Sequence, residues 1–100
     1  MSTENTQQVP DILTTDDRAV IRAAVCEILE IDDTELTADD NLAEVHEADS
    51  LDRMEIMSRI EEHFLLKFDR SDIKDVATLA DLYRLTADRL AELKSGRDDS

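Results

Sequence analysis

The sequence predicts an all-α fold, a four-helix bundle of three long helices and one short one with a long ordered loop between the first and second. Three observations carry this expectation. Apolar residues recur at three- and four-residue steps along most of the chain, the spacing that puts them on one face of a helix. Glycine and proline occur once each, Gly96 and Pro10, both outside the periodic region, whereas a β-rich chain of this size needs turn glycines. Cap-forming residues stand ahead of each long periodic stretch.

The first helix is expected to begin after Thr14 or Thr15, with Asp16 and Asp17 in a first turn whose dipole favours negative charge. Ile21, Ala24, Val25, Ile28 and Leu29 share one face and carry it to about Leu29. Residues 31–48, IDDTELTADDNLAEVHEA, hold turn formers and scattered apolar residues without a clean period. They read as an ordered loop anchored by Ile31, Leu36, Leu42 and Val45, and structureless loops of this length tend to carry function. The second helix starts with Asp49 or Ser50 as its cap, and Leu51, Met54, Met57, Ile60 and Phe64, flanked by Ile56, form its inward stripe. Asp52, Glu55, Arg59, Glu61 and Glu62 fall mostly off that stripe. Residues 69–76, DRSDIKDV, allow a short helix or turn. Thr78-Leu79-Ala80-Asp81 then resembles a capping box, and Leu79, Leu82, Tyr83, Thr86, Leu90 and Leu93 continue a last helical face. One domain over residues 11–93 follows, with polar tails at 1–10 and 94–100 expected to be disordered.

Charge narrows the function. The 100 residues carry 26 acidic and 11 basic side chains, a formal charge of −15, yet 41% of them are hydrophobic. The apolar content argues for a folded domain rather than a disordered one. The acidity repels phosphate backbones and anionic lipid, so no nucleic-acid or membrane role is expected, and it favours partners with basic patches. No N-terminal segment reads as a secretion signal and no apolar run is long enough to cross a membrane, so a cytoplasmic monomer is the expectation.

Self-sufficient catalysis finds no support. Cys26 is a lone cysteine that reads as a small packing residue, and no Cys/His spacing suits zinc. His46-Glu47 begins a metalloprotease-like pattern, but Ser50 stands where the second histidine belongs, and His63 has no catalytic company. The acidic runs at 32–35 and 39–41 lack the glycine and terminal glutamate of a calcium loop. Neither a metal site nor an enzyme is expected.

Ser50 stands apart because of its place. Its plain reading is a helix cap, but it follows the irregular loop, opens the strongest amphipathic helix and lies between Asp49 and Asp52. A phosphodiester on its hydroxyl would sit at the positive end of the helix dipole, near unpaired backbone N–H groups.

The stretches ADSLDRMEIMSRIEEHF at 48–64, EILEIDDTELTADDNL at 27–42 and VATLADL at 76–82 resemble the acyl carrier protein family. Most specific is the Asp49-Ser50-Leu51 tripeptide followed by Met54-Glu55-Ile56 and then Ile60-Glu61-Glu62-His63-Phe64, and the resemblance extends from about Leu13 to Leu93. It implies that Ser50 receives 4′-phosphopantetheine from coenzyme A through a separate phosphopantetheinyl transferase. The terminal thiol of that arm would carry acyl groups as thioesters between acyltransferase- and ketosynthase-type enzymes with basic docking surfaces. It also implies a partner surface at Asp49, Leu51, Asp52, Met54, Glu55, Ile56, Glu61 and Glu62, to which Arg53 and Arg59 are added as candidates for selecting dedicated partners. Met54, Met57 and Phe68 are candidates for lining an acyl groove, with ordinary core packing as the plainer account of each.

The family usually has glycine at the place of Glu47, often after a leucine at the place of His46. Glutamate at positive φ costs on the order of 1 kcal/mol, so the loop is expected to be shaped differently here. This departure and the polar N-terminal extension favour a stand-alone carrier of polyketide or related natural-product synthesis. Fatty-acid synthesis is the nearest alternative, and an unmodified acidic adaptor the alternative of a different class. A peptidyl carrier is disfavoured, since that subfamily usually has a Gly-Gly pair before its serine motif.

Overall fold

A computed structural model describes the backbone of residues 13–99 and the side chains of 13–93. The elements are α1 (Thr15–Leu29), a 3-10 turn (Asp33–Glu35), α2 (Leu42–His46), α3 (Ser50–Phe64), α4 (Arg70–Asp75) and α5 (Leu79–Asp99), with no strand among the described residues. The all-α class holds. Among the described residues five α-helices stand in place of the expected four, because the 31–48 segment contains both the 3-10 turn and α2.

Helix α2 is invisible to periodicity, since one buried residue, Leu42, makes no period. It forms because Asn41 Oδ1 accepts from the amides of Ala43 and Glu44, both at 3.0 Å, satisfying two donors a helix start leaves open. Two backbone bonds tie the segment to the start of α5: Leu42 N to Ala77 O at 2.8 Å and Ala80 N to Ala38 O at 3.1 Å. From α1, Arg22 donates through Nε to the Asp33 carboxylate and through Nη2 to the carbonyls of Asp33 and Leu36. The loop is therefore ordered by hydrogen bonds and by two buried leucines, Leu36 and Leu42. Val45, expected as an anchor, is 55% exposed.

Helix α1 starts where expected. Thr14 Oγ1 accepts from Asp17 N and the Asp17 carboxylate accepts from Thr14 N, each at 3.0 Å. Its buried Ile21, Ala24 and Val25 pack against α3 and α5, with Ile56, Met57, Ile60, Leu79 and Leu82 completing the core. Thr78 and Asp81 form the anticipated box: Asp81 N donates to Thr78 Oγ1 at 3.1 Å, and Asp81 Oδ2 accepts from Thr78 N at 3.0 Å and Ala77 N at 2.8 Å. Helix α5 continues to Asp99, through most of the segment expected to be a disordered tail. Lengthening an established helix costs far less than starting one. The tail expected at 1–10 lies outside the described residues.

The inward stripe of α3 is rotated from the one expected. Arg53, Ile56, Met57, Ile60 and Phe64 face inward, while Leu51 and Met54 are 70% and 46% exposed. Both sets satisfy three- and four-residue spacing, so periodicity alone could not choose between them.

Asp72 of α4 is 7% exposed and held by Arg89 of α5, with Nη2 at 2.8 and 2.6 Å from its two oxygens and Nε at 3.2 Å from Oδ2. Burial pushes the Asp72 carboxyl up, but the Arg89 fork and the Asp69 amide outweigh it and hold it below the usual carboxylate range. A carboxyl depressed in the folded state stabilises the fold above its unfolded pKa, and that contribution disappears as pH falls through the lower folded value. Asp72→Asn should therefore cost roughly 1–2 kcal/mol near neutrality, since Arg89 loses its buried carboxylate partner but keeps Glu92. It should also flatten the fall in stability below roughly pH 4. Urea melts across pH check both; an acid limb identical to the parent's would refute the assignment.

Candidate functional site

The site is built by the turn that joins α2 to α3. Glu47 takes a left-handed conformation, φ 57° and ψ 32°, and the amides of Glu47 and Ala48 both close onto the Leu42 carbonyl. Ala48 is then buried at 4% exposure, which fixes where the next residue emerges. The expectation of a reshaped loop is corrected here: the chain keeps a positive φ at Glu47, where the resembling family usually has glycine.

Asp49 is extended, φ −94° and ψ −174°, and is the N-cap of α3. Its Oδ1 accepts from Asp52 N at 2.9 Å, and Asp52 Oδ2 accepts from Asp49 N at 3.1 Å. This corrects the reading of Ser50 as the cap. Ser50 is the first helical residue, exposed, and its hydroxyl makes no hydrogen bond to a described residue. The amides of Ser50 and Leu51 are likewise unclaimed by any described residue, as expected of a first turn. The Asp49-x-x-Asp52 spacing was the sequence signal for this division of labour.

His46, in the place of the family's frequent leucine, keeps a side chain only 8% exposed. Its Nε2 lies 3.1 Å from Asp40 Oδ2. The Asp40 carboxylate also accepts from Thr37 Oγ1 at 2.6 Å and Thr37 N at 3.2 Å. These Thr37 bonds first, then His46, hold Asp40 below the ordinary carboxylate range. A polar pin thus does what a packed leucine would do, and nothing in the sequence pattern marked Asp40 as its partner.

The predicted partner residues divide. Leu51, Met54 and Glu55 are exposed beside Ser50 and, with Ser58, Arg59 and Glu62, line a shallow outward groove. Asp49 is exposed, and Asp52 is half-buried in its capping bond. Ile56 is 1% exposed and offers a partner no surface. Glu61 is half-buried with Oε2 accepting from Phe68 N at 2.7 Å, so it staples the end of α3 to the following segment. Arg59 does not pair with Glu55 one turn back; its Nη1 meets Glu27 of α1 at 2.5 Å. Arg53 is half-buried, with Nε shut off from solvent and without a hydrogen-bond partner. Of the groove candidates, Met57 is core at 2% exposure, Phe68 packs half-buried against the core, and Met54 lies outside it.

An exposed serine hydroxyl on an open helix first turn is a plausible acceptor for a covalent group, and comparison decides which family it serves. Residues 19–86 match the family model of the phosphopantetheine attachment site. The chain belongs to that family, the acyl carriers. It is 35% identical over 63 residues to polyketide-8 synthase acyl carrier protein 1 of Streptomyces avermitilis, covering 63% of this chain and 75% of the relative. It is 37% identical over 67 residues to an acyl carrier protein of Cyanophora paradoxa, covering 67% of this chain and 65% of the relative. Membership makes the protein a carrier, not a catalyst, and its cofactor is covalent 4′-phosphopantetheine. The residues fit that group, because the free Ser50 hydroxyl, two open amides and an orphaned arginine N–H occur within one helical turn.

The left-handed Glu47 supplies a test of how the turn is held. A non-glycine residue there costs on the order of 1–2 kcal/mol, part of which glycine returns as unfolded-state entropy. Glu47→Gly should raise stability by roughly 0.5–1 kcal/mol, read from a urea midpoint; a lower midpoint would show that the glutamate side chain holds the turn in another way.

Proposed function

We propose that Ser50 is the residue that receives 4′-phosphopantetheine, and that the protein carries acyl intermediates of polyketide or related natural-product synthesis. The observation that carries the assignment of Ser50 is the cap: Asp49 satisfies the helix start, so the neighbouring hydroxyl is exposed and uncommitted. The terminal thiol of the arm, once attached, holds acyl groups as thioesters. The chain's own part is to present that arm at a fixed point and to be released by each enzyme it visits. The relative named as a polyketide synthase carrier supports the polyketide reading, with fatty-acid synthesis as the alternative.

Incubation with coenzyme A and a broad-specificity phosphopantetheinyl transferase should add the mass of one phosphopantetheine. The gain should vanish in Ser50→Ala. No gain under conditions that load a control carrier would return the protein to the class of unmodified adaptors.

The surface around Ser50 suggests how partners dock. Exposed Leu51 and Met54 lie among Asp49, Glu55 and Glu62, so a fitting partner offers an apolar notch rimmed by Lys and Arg. Charge steers the encounter and salt weakens it, while the two apolar side chains supply contact area. A net charge of −15 opposes self-association and supports a monomeric shuttle. Arg59, paired with Glu27, and half-buried Arg53 are less available to a partner than the sequence implied.

Leu51→Ala should lower kcat/KM for transfer to Ser50 by roughly tenfold, the order expected for truncating an apolar anchor. Its folding stability should move by less than about 0.5 kcal/mol, because the residue is on the surface. Equal transfer kinetics in parent and variant would remove Leu51 from the docking surface.

A further inference from the structure

We propose that Arg53 holds the phosphodiester of the arm, acting as the cation that fixes the prosthetic group against the first turn of α3. This rests on the reading that Ser50 is the modified residue, and it assigns a role to a side chain that forms no ion pair with another described residue.

Placement comes first. Arg53 follows Ser50 by three residues, which sets the two on one helix face with their β-carbons about 5–6 Å apart. Helical side chains tilt toward the N-terminus and cover the turn before their own Cα, so a long side chain at position 53 extends over the turn that Ser50 occupies. Arg53 also opens the inward stripe that continues through Ile56, Met57 and Ile60. Its side chain is consequently half-buried, with Nε enclosed.

The second observation is an unmet donor. Arg53 Nε is excluded from solvent and has no hydrogen-bond partner. Buried donors are almost always satisfied, and leaving one unmade costs folding free energy. Arg22, Arg59, Arg84 and Arg89 each meet a carboxylate. Lys67, Arg70 and Lys74 are exposed and have water. Arg53 Nε has neither, although Asp49 and Asp52 stand within a turn of it. One oxygen of each carboxylate accepts the other's amide in the capping box, and neither carboxylate meets Arg53.

A phosphodiester on Ser50 Oγ would supply what is missing. It brings anionic acceptor oxygens to position 50 in every loaded molecule, at the high effective concentration of a tether. Arginine presents its N–H groups in a planar fork suited to phosphate oxygens. The phosphate also needs such a cation, because Asp49 and Asp52 would otherwise crowd its charge with their own. A partner's carboxylate is a poorer match, since it would have to approach through the acidic rim.

The test compares apo and loaded forms of the parent, Arg53→Met and Arg53→Lys. In the parent, loading should raise the melting temperature by roughly 6–12 °C, the shift that one charge-assisted contact produces in a domain of this size. The Arg53 Nε–H resonance should move on loading, and its exchange with water should slow. In Arg53→Met the loading-induced shift should fall to near zero and the phosphorus resonance should change, while the apo form is as stable as the parent or more so, since the orphaned donor is gone. Arg53→Lys should restore part of the shift.

If both parent and Arg53→Met gain the phosphopantetheine mass but show the same loading-induced shift, with the Nε–H resonance unmoved, the proposal is overturned. A purely structural Arg53 would instead lower apo and loaded stability equally in Arg53→Met, which also overturns it. Absence of the mass gain in the parent would be a separate failure, that of Ser50 as the modified residue, and is read before any melt.

Discussion

Asp49 and Asp52 each accept a hydrogen bond from the other's backbone amide, at 2.9 and 3.1 Å, and this exchange closes the start of α3. A serine is among the better residues for that duty, so the presence of Asp49 one position earlier has a consequence. Ser50 moves to the first helical position, where its hydroxyl faces outward and no described residue uses it. Had Ser50 been the cap, its oxygen would have been occupied by an amide of the first turn. A hydroxyl free for attachment, the role proposed for Ser50, therefore depends on the capping task falling to Asp49.

That arrangement needs the chain to reach Asp49 from a fixed direction, and two unlike devices set it. Glu47 turns the backbone through a left-handed conformation, so the price of a side chain at positive φ is accepted where a glycine would avoid it. His46 and Asp40 then pin α2 to the preceding loop, while Arg22 ties that loop to α1. The long connection is ordered by polar contacts to its neighbours more than by its own apolar residues, since only Leu36 and Leu42 are fully buried within it. A segment held in this way can be held firmly without being periodic.

This explains which parts of the fold were legible. Helix α1, the start of α3 and the Thr78–Asp81 box were readable because each combines a cap with an apolar face, and those signals are local. Helix α2 was not, because a five-residue helix with one buried leucine carries no period and is stabilised by Asn41 and by bonds to α5. The phase of α3 was misread for a different reason. Leu51 and Met54 fit helical spacing as well as Ile56 and Ile60 do, and only packing against α1 decides which set turns inward. Of the predicted site, the serine and its acidic neighbours were visible in the sequence, whereas the commitments of Glu61 to Phe68 and Arg59 to Glu27 are tertiary and left no local trace.

The same rotation of α3 gives the surface its character. Turning Leu51 and Met54 outward exposes apolar area beside Ser50, an expense in water that a helix with a free choice of phase would avoid. Arg53 takes the inward place at the end of the stripe instead, and there its Nε is left unpaired. Two unfavourable features thus arise from one choice of phase, and both lie within a turn of Ser50. Exposed apolar side chains and an unmet buried donor are each costly for the isolated chain, and the docking partner and the serine-borne anion proposed above would relieve them in turn. Local rules are broken at the start of α3, while the rest of the helix, from Ile56 to Phe64, obeys the ordinary pattern of an amphipathic helix.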